Sequence, residues 1–402
     1  MAALVLRSLR RREYRLFFLG QLVSLHGTWM QNVAQAWLVY RLTESSFLLG
    51  LVAFVSLIPV LLFGLPGGWL ADRLPRRRLF LATQLLALVQ ALVLAALTFS
   101  GHIAVWHILV LAFLLGCVHA VEIPARHSLL PALVPREELH NAVALNASVF
   151  NLARFLGPAI AGLLIVRLGE AWVFLINGMT FTATVLALLA MGLEAKDRSG
   201  ARRPRGGLLD GFHHAWREPT LRHAILLVAA VSLCASPYTV LMPVFAREVF
   251  LGGPDVLGYL LGAAGAGALL AALRLAGLRD GEGIQRWIIL ATIGAGVLLM
   301  LFSQLRSFPA ALLVLALAGF AVTTVIASTN TFLQLAAPDE LRGRIMSLFS
   351  TLFIGVAPLG SLLAGSLAEL LGVQTAMLLL GGGCLLVGLW YRWRESRAIR
   401  AQ

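Results

Sequence analysis

Ionisable side chains are scarce in this 402-residue sequence, so those that interrupt its apolar runs mark where chemistry is expected. Arg154 stands about eleven residues into the run at 143–166, roughly 16 Å along a helix at 1.5 Å per residue. An arginine at that depth in hydrocarbon costs at least ~3 kcal/mol and must face protein or water. Glu122, towards the cytoplasmic end of the preceding run, is its expected partner, with His119 at i−3 and Arg126 at i+4 on the same helical face. A carboxylate in such company can exchange a proton or a partner, which is gating or coupling chemistry. The same residues also suit a static ion pair that fixes helix register. His26, near the middle of the first run, is titratable in the physiological range, but it lies almost opposite the polar face of its own helix and reads as a packed histidine.

That polar face is the second pattern. Gln21, Ser24, Thr28, Gln31, Asn32 and Gln35 fall within an arc of roughly 100° on a helix of 3.6 residues per turn. Uncharged amides and hydroxyls on one face suit a wet cavity that binds a polar ligand weakly, with Trp29 beside them able to stack on an aromatic substrate. The alternative is interhelical hydrogen bonding, worth under about 1 kcal/mol per contact. The third pattern is the stretch from Gly68 to Arg78, Gly-Trp-Leu-Ala-Asp-Arg-Leu-Pro-Arg-Arg-Arg. Gly64 and Gly68 form a small-xxx-small pair that admits a close helix neighbour. Asp72 sits where that helix leaves the membrane, so it can face a helix N-terminus and pair with Arg73, Arg76 or Arg77 as a latch.

Other chemistry is not encoded. Lys196 is the only lysine, and no phosphate-binding Gly-x-x-x-x-Gly-Lys loop occurs. No His, Cys or Asp cluster has metal spacing, no Ser/His/Asp set can be argued, and Cys117, Cys234 and Cys384 sit singly in apolar runs. The expectation is a protein without catalytic residues, metal or cofactor.

The elements that must position these residues follow from composition. The chain is 59% hydrophobic and 13% charged, too few charges to cover a water-exposed surface. Apolar runs of about 20 residues, enough to cross ~30 Å of hydrocarbon, occur at roughly 16–40, 47–71, 79–99, 103–123, 143–166, 171–193, 223–246, 256–278, 287–303, 308–334, 345–370 and 373–391. The first is long and polar enough to be a retained span rather than a cleaved leader. The net charge of +13 is spread in short clusters between these runs, which fits membrane topology rather than nucleic acid. Odd-numbered connections carry only Arg41, Arg167, Arg247 and Arg306, whereas even-numbered ones and both termini hold the rest. The positive-inside rule therefore places both termini in the cytoplasm.

One long basic connection divides the chain into an N-terminal six-helix bundle at 1–193, a linker at 194–222 and a C-terminal six-helix bundle at 223–402. Within the linker, Leu208, Leu209, Phe212 and Trp216 among polar residues read either as a short interfacial amphipathic helix or as a flexible connection. The halves repeat. A shift of 203 residues brings Pro135 onto Pro338, Phe150 onto Phe353, and Gly157 and Gly162 onto Gly360 and Gly365. A shift of 208 brings Leu49-Gly50 onto Leu257-Gly258 and Asp72 onto Asp280. The expected fold is an all-α membrane protein of twelve transmembrane helices, in two six-helix bundles related by a parallel repeat.

The loop motif resembles the signature of the major facilitator superfamily, Gly-x-Leu-Ala-Asp-Arg-x-Gly-Arg-Arg, on Gly68, Leu70, Ala71, Asp72, Arg73, Arg76 and Arg77, with Pro75 in place of the second glycine. Its counterpart in the second half is degenerate, keeping Asp280 with Arg274 and Arg279. The segments 24–31, 36–40, 124–126, 133–135, 157–162 and 242–247 resemble the enterobactin-exporter-like and macrolide-efflux-like branch over nearly the whole chain. That resemblance implies a bacterial inner-membrane exporter of small amphipathic molecules, driven by proton exchange through alternating access. Its partners would be a small-molecule substrate, protons and the bilayer, with no nucleic acid and a monomeric state. A lipid or lysolipid flippase on the same scaffold, and a membrane enzyme or sensor without transport, are the alternatives. A passive channel is disfavoured by the two-half repeat.

Overall fold

Hydrocarbon offers the backbone no hydrogen-bond partner, so apolar runs of this length must close their bonds internally as helices. In the computed structural model, which describes residues 7–192, 208–276 and 283–400, they do. The helices are α1 Arg12–Thr43, α2 Ser46–Arg73, α3 Arg76–Phe99, α4 Val105–Leu133, α5 Leu139–Leu168, α6 Glu170–Ala190, α7 Leu208–Arg217, α8 Pro219–Cys234, α9 Pro254–Ala276, α10 Ile284–Gln304, α11 Phe308–Ala336, α12 Arg342–Leu371 and α13 Val373–Arg400. No strand occurs among the described residues. Lys196 and the linker to residue 207, together with Arg279 and Asp280, lie outside the described residues, as do the side chains of Leu208, Leu209 and Phe212.

Among the described residues eleven helical segments are long and apolar enough to cross a membrane, and α1 is not one of them. At 32 residues, or about 48 Å, α1 has ample length, and its amides and hydroxyls are what lower its hydropathy. The short helix α7 forms where the linker pattern suggested one. The fourth run is longer than its sequence suggests: α4 continues through Pro124 and Pro131 to Leu133, as membrane helices allow when neighbours satisfy the freed carbonyls. The seventh span changes character instead. After Cys234, a 3₁₀ segment at Ser236–Leu241, a turn at Met242–Val244 and a π turn at Phe245–Val249 carry it on. Pro237 and Pro243, each lacking an N–H, lie within that stretch.

The chain divides into two compact units, one of Met1–Leu42, Val55–Arg203 and Gly253–Gly258, the other of Thr43–Phe54, Pro204–Gly252 and Tyr259–Gln402. Each has the same internal plan. In the first the third and sixth spans, α3 and α6, pack most extensively, and in the second the ninth and twelfth, α10 and α13, do so. Glycines set the closest approaches. A Cβ on Gly157 would meet Trp29 Cβ at 2.7 Å, and one on its repeat-mate Gly360 would meet Leu233 O at 2.6 Å. A Cβ on Gly50 would lie 2.6 Å from Ser361 O and 3.0 Å from Gly365 Cα; one on Gly258 would lie 2.6 Å from Pro158 O and 3.0 Å from Gly162 Cα. The partners are exchanged by the same sequence shifts, so the repeat is one of packing as well as of sequence.

Ion pairs in the first unit join connections of like parity. Arg7 and Arg11 reach Glu138 at 3.5 and 3.3 Å, joining the N-terminal segment to the fourth connection. Arg41 Nε donates to Glu170 Oε1 at 2.8 Å and Arg41 Nη2 to Glu170 Oε2 at 3.3 Å, joining the first connection to the fifth. Even- and odd-numbered connections thus gather at opposite ends of this unit.

One glycine expectation is corrected. Around Gly64 and Gly68 no atom lies within 4 Å of an added Cβ, so in this structure neither admits a close neighbour; Gly67 instead abuts the Ala120 carbonyl of α4. Gly67→Val is expected to lower stability by about 1–3 kcal/mol through overpacking, and Gly64→Val to leave it nearly unchanged. Thermal unfolding of the two variants in detergent measures the contrast.

Candidate functional site

The chemistry expected of the first unit gathers on α1, α3, α4, α5 and α6. On α4, His119 Nε2 and Arg126 Nη1 each lie 3.8 Å from a carboxylate oxygen of Glu122, at the i−3 and i+4 spacing the sequence anticipates. Glu122 and Arg126 are largely shielded, at 12% and 15% exposure, whereas His119 is 31% exposed. Arg126 Nη1 also donates to Gln21 Oε1 of α1 at 3.5 Å, while its Nε is buried without a partner. Because α4 extends to Leu133, Glu122 is 133 − 122 = 11 residues from the helix end, about 16 Å at 1.5 Å per residue. It therefore lies within α4, short of its C-terminal end rather than near it as its sequence position suggested.

Arg154 is not brought to Glu122. It lies 154 − 139 = 15 residues into the 30-residue helix α5, at its midpoint, and makes no hydrogen bond or ion pair among the described residues. One turn before it, Phe150 meets Trp29 of α1 edge-on with ring centroids 5.8 Å apart. One turn after it, Gly157 lets α1 approach at Trp29 and the His26 carbonyl. His26 turns its Nδ1 to the Leu22 carbonyl one turn back in its own helix, at 2.6 Å.

The polar stripe of α1 divides between the two roles open to it. Gln31 is 2% exposed and Asn177 1% exposed; Asn177 Nδ2 donates to Gln31 Oε1 at 2.7 Å, and Gln31 Nε2 donates to Gln90 Oε1 at 3.1 Å. This chain ties α1 to α3 and α6. Gln21 and Ser24 are buried, and the Thr28 hydroxyl donates to the Ser24 carbonyl at 3.0 Å. Asn32 is exposed, and Thr28, Trp29 and Gln35 are half-buried, leaving these four able to meet a ligand. The stripe is interhelical hydrogen bonding at Gln31 and open surface near Asn32.

The loop arginines serve helix ends. Arg77 Nε donates to the Leu188 carbonyl at 2.8 Å and its Nη2 to that of Leu189 at 3.1 Å, capping the C-terminus of α6. Arg76 Nη1 donates to the Ser128 carbonyl at 3.1 Å, and Arg73 lies 4.0 Å over the Trp69 ring. Asp72 is exposed and forms no ion pair among the described residues. The structure therefore shows the arginines of the expected latch engaged and its carboxylate free.

Sequence reasoning missed Gln90 and Asn177, which complete the Gln31 chain; an amide inside each apolar run was the available signal. In the second unit a cavity of about 430 Å³ is lined by Arg286, Phe332, Leu335 and Glu395 among others, and it holds none of the residues singled out above. No group of three or more His, Cys, Asp or Glu residues capable of holding a metal occurs among the described residues.

The family model described as transmembrane secretion effector, of the major facilitator type, matches residues 4–397. The chain is 29% identical to the multidrug efflux pump Tap of Mycolicibacterium fortuitum, over 94% of this chain and 95% of that one. It is 25% identical to the enterobactin exporter EntS of Shigella boydii, over 94% and 90% of the two chains. A crystal structure of a POT family transporter in complex with a thioalcohol-conjugated peptide aligns with a TM-score of 0.77 at 12% identity, covering 96% of each chain; this shows a shared fold.

The Gln31–Asn177 pair should behave as structural glue. Gln31→Ala and Asn177→Ala are each expected to destabilise, and their double-mutant cycle to give a coupling of about 1 kcal/mol. Reversible unfolding in mixed micelles reads that coupling, and strict additivity would remove the pair from the account.

Proposed function

Because this chain belongs to the transmembrane secretion effector family of the major facilitator superfamily, a family of multi-pass membrane transporters, we propose that it exports a small amphipathic molecule, such as a drug or a siderophore, by proton-coupled alternating access. The observation that carries this reading is Glu122 deep within α4, between His119 and Arg126 at 3.8 Å each. A carboxylate held loosely rather than locked in a short bidentate pair can take up a proton and release its guanidinium, which is the kind of change that biases one conformation over another. Relatives that export a drug or a siderophore support the direction and the substrate class.

On this reading 1–193 and 223–402 act as two bundles joined by the linker 194–222. Both termini face the cytoplasm of a bacterial cell, across its inner membrane, and the monomer is the working unit. Asp72, with Arg73, Arg76 and Arg77, forms a latch that engages in one state and opens in another; the free Asp72 carboxylate belongs to the open state. Gly68 keeps the helix surface beside the latch bare. Thr28, Trp29, Asn32 and Gln35 contribute cavity surface, with Ser24 bonded to Thr28 beneath it, and Gln21 holds Arg126.

Two outcomes test this in proteoliposomes with an imposed pH gradient and a panel of drugs and siderophores. Glu122→Gln is expected to abolish gradient-driven flux while leaving the purified protein folded, and undiminished gradient-driven flux would exclude Glu122 as the coupling site. Asp72→Asn is expected to cut flux about tenfold or more without loss of expression, as a transition worth about 1.4 kcal/mol is lost; normal flux would count against the latch.

A further inference from the structure

Within the spans of the first unit the fixed charges do not balance. Glu122 is the carboxylate available there, and it is already taken by Arg126 and His119. Arg154, at the midpoint of α5, has no hydrogen-bond or ion-pair partner among the described residues. It is half-buried, and a guanidinium at that depth does not face lipid when a protein or water-filled alternative exists. The face it occupies therefore lines a wet surface, and Phe150 and Trp29, within a turn of it, share that surface. Trp29 is half-buried and Phe150 is 40% exposed; their rings meet edge-on about one turn along α5 from Arg154.

A guanidinium presents a planar fork that matches carboxylates, and aromatic rings beside it favour a flat apolar body. We propose that Arg154 is a specificity-determining residue that binds the anionic group of an aromatic organic acid, with Trp29 and Phe150 holding the ring system. This deepens the export reading by assigning the charge of the preferred cargo, and it rests on that reading for its physiological meaning. It also gives Arg154 a task apart from proton coupling, which stays with Glu122. The substrate anion supplies the missing counter-charge, so the arginine is paired only while cargo is bound.

The test uses purified full-length protein and two probes of like size and opposite charge, 2-naphthoate and 2-naphthylmethylammonium, in equilibrium dialysis. Wild type is expected to bind 2-naphthoate in preference to the cation. Arg154→Gln is expected to weaken naphthoate binding about tenfold or more, the loss of one charge-assisted contact, and to leave binding of the cation unchanged or stronger. Arg154→Lys, which keeps the charge, is expected to keep the preference for the anion with a smaller loss; it provides the comparison if the glutamine variant does not fold. Phe150→Ala is expected to weaken both probes. Wild-type protein that ignores 2-naphthoate, or an Arg154→Gln variant that binds it as wild type does, overturns the assignment whatever the flux assays show. Conversely, charge-selective binding that depends on Arg154, in a protein that moves no drug or siderophore in proteoliposomes, would sustain the anion site and reject the export reading.

Discussion

A polar group placed in hydrocarbon has to find its partner inside the protein. That constraint shapes each helix here, from the backbone outward. Many hydroxyls within the helices return their hydrogen bond to a carbonyl one turn back, as Thr28 does to Ser24, Thr98 to Leu94, Thr292 to Ile288 and Ser361 to Ala357. Amides pair across helices, as in the chain through Asn177, Gln31 and Gln90. The arginines of the second connection reach carbonyls at Ser128, Leu188 and Leu189. Exceptions remain among the described residues: both amide atoms of Gln84 are buried without a partner, Glu122 sits in a loose cluster, and Arg154 makes no hydrogen bond or ion pair.

The two repeats have kept packing and divided the chemistry. Gly157 and Gly360 each admit the first span of their own half, and Gly162 and Gly365 each face a glycine of the matching kind. At Gly162, Gly360 and Gly365 backbone lies within 3 Å of where a side chain would stand, and at Gly157 the Trp29 Cβ does. The ionised positions follow no such rule. Under the same 203-residue shift, Glu122, Arg126 and Arg154 fall on Val325, Thr329 and Ala357. Close approach is demanded by the packing of both units, whereas a buried charge carries a cost that a second copy would repeat.

The broken seventh span shows the same economy in the backbone. Pro237 and Pro243 remove donors that an α-helix would need, and the chain responds with 3₁₀ and π turns. The freed groups are tolerable because this stretch is packed inside the second unit, where Leu241, Met242, Val244 and Phe245 are buried.

Much of this was legible in the residues alone. Hydropathy gave the spans, because crossing a bilayer is a requirement on length and composition. The glycine repeat foretold the matched close contacts within the two units. The i−3, i+4 spacing was enough to put His119 and Arg126 beside Glu122, since a helix fixes such neighbours locally. What the sequence could not supply was any relation between helices. Whether Gln31 would meet a ligand or Asn177, whether Arg154 would reach Glu122, whether Gly67 rather than Gly64 or Gly68 would be the tight contact, and how far α4 would run past Pro124 were all decided by tertiary packing. Helical periodicity determines which side chains share a face; only the arrangement of neighbouring helices determines what that face meets.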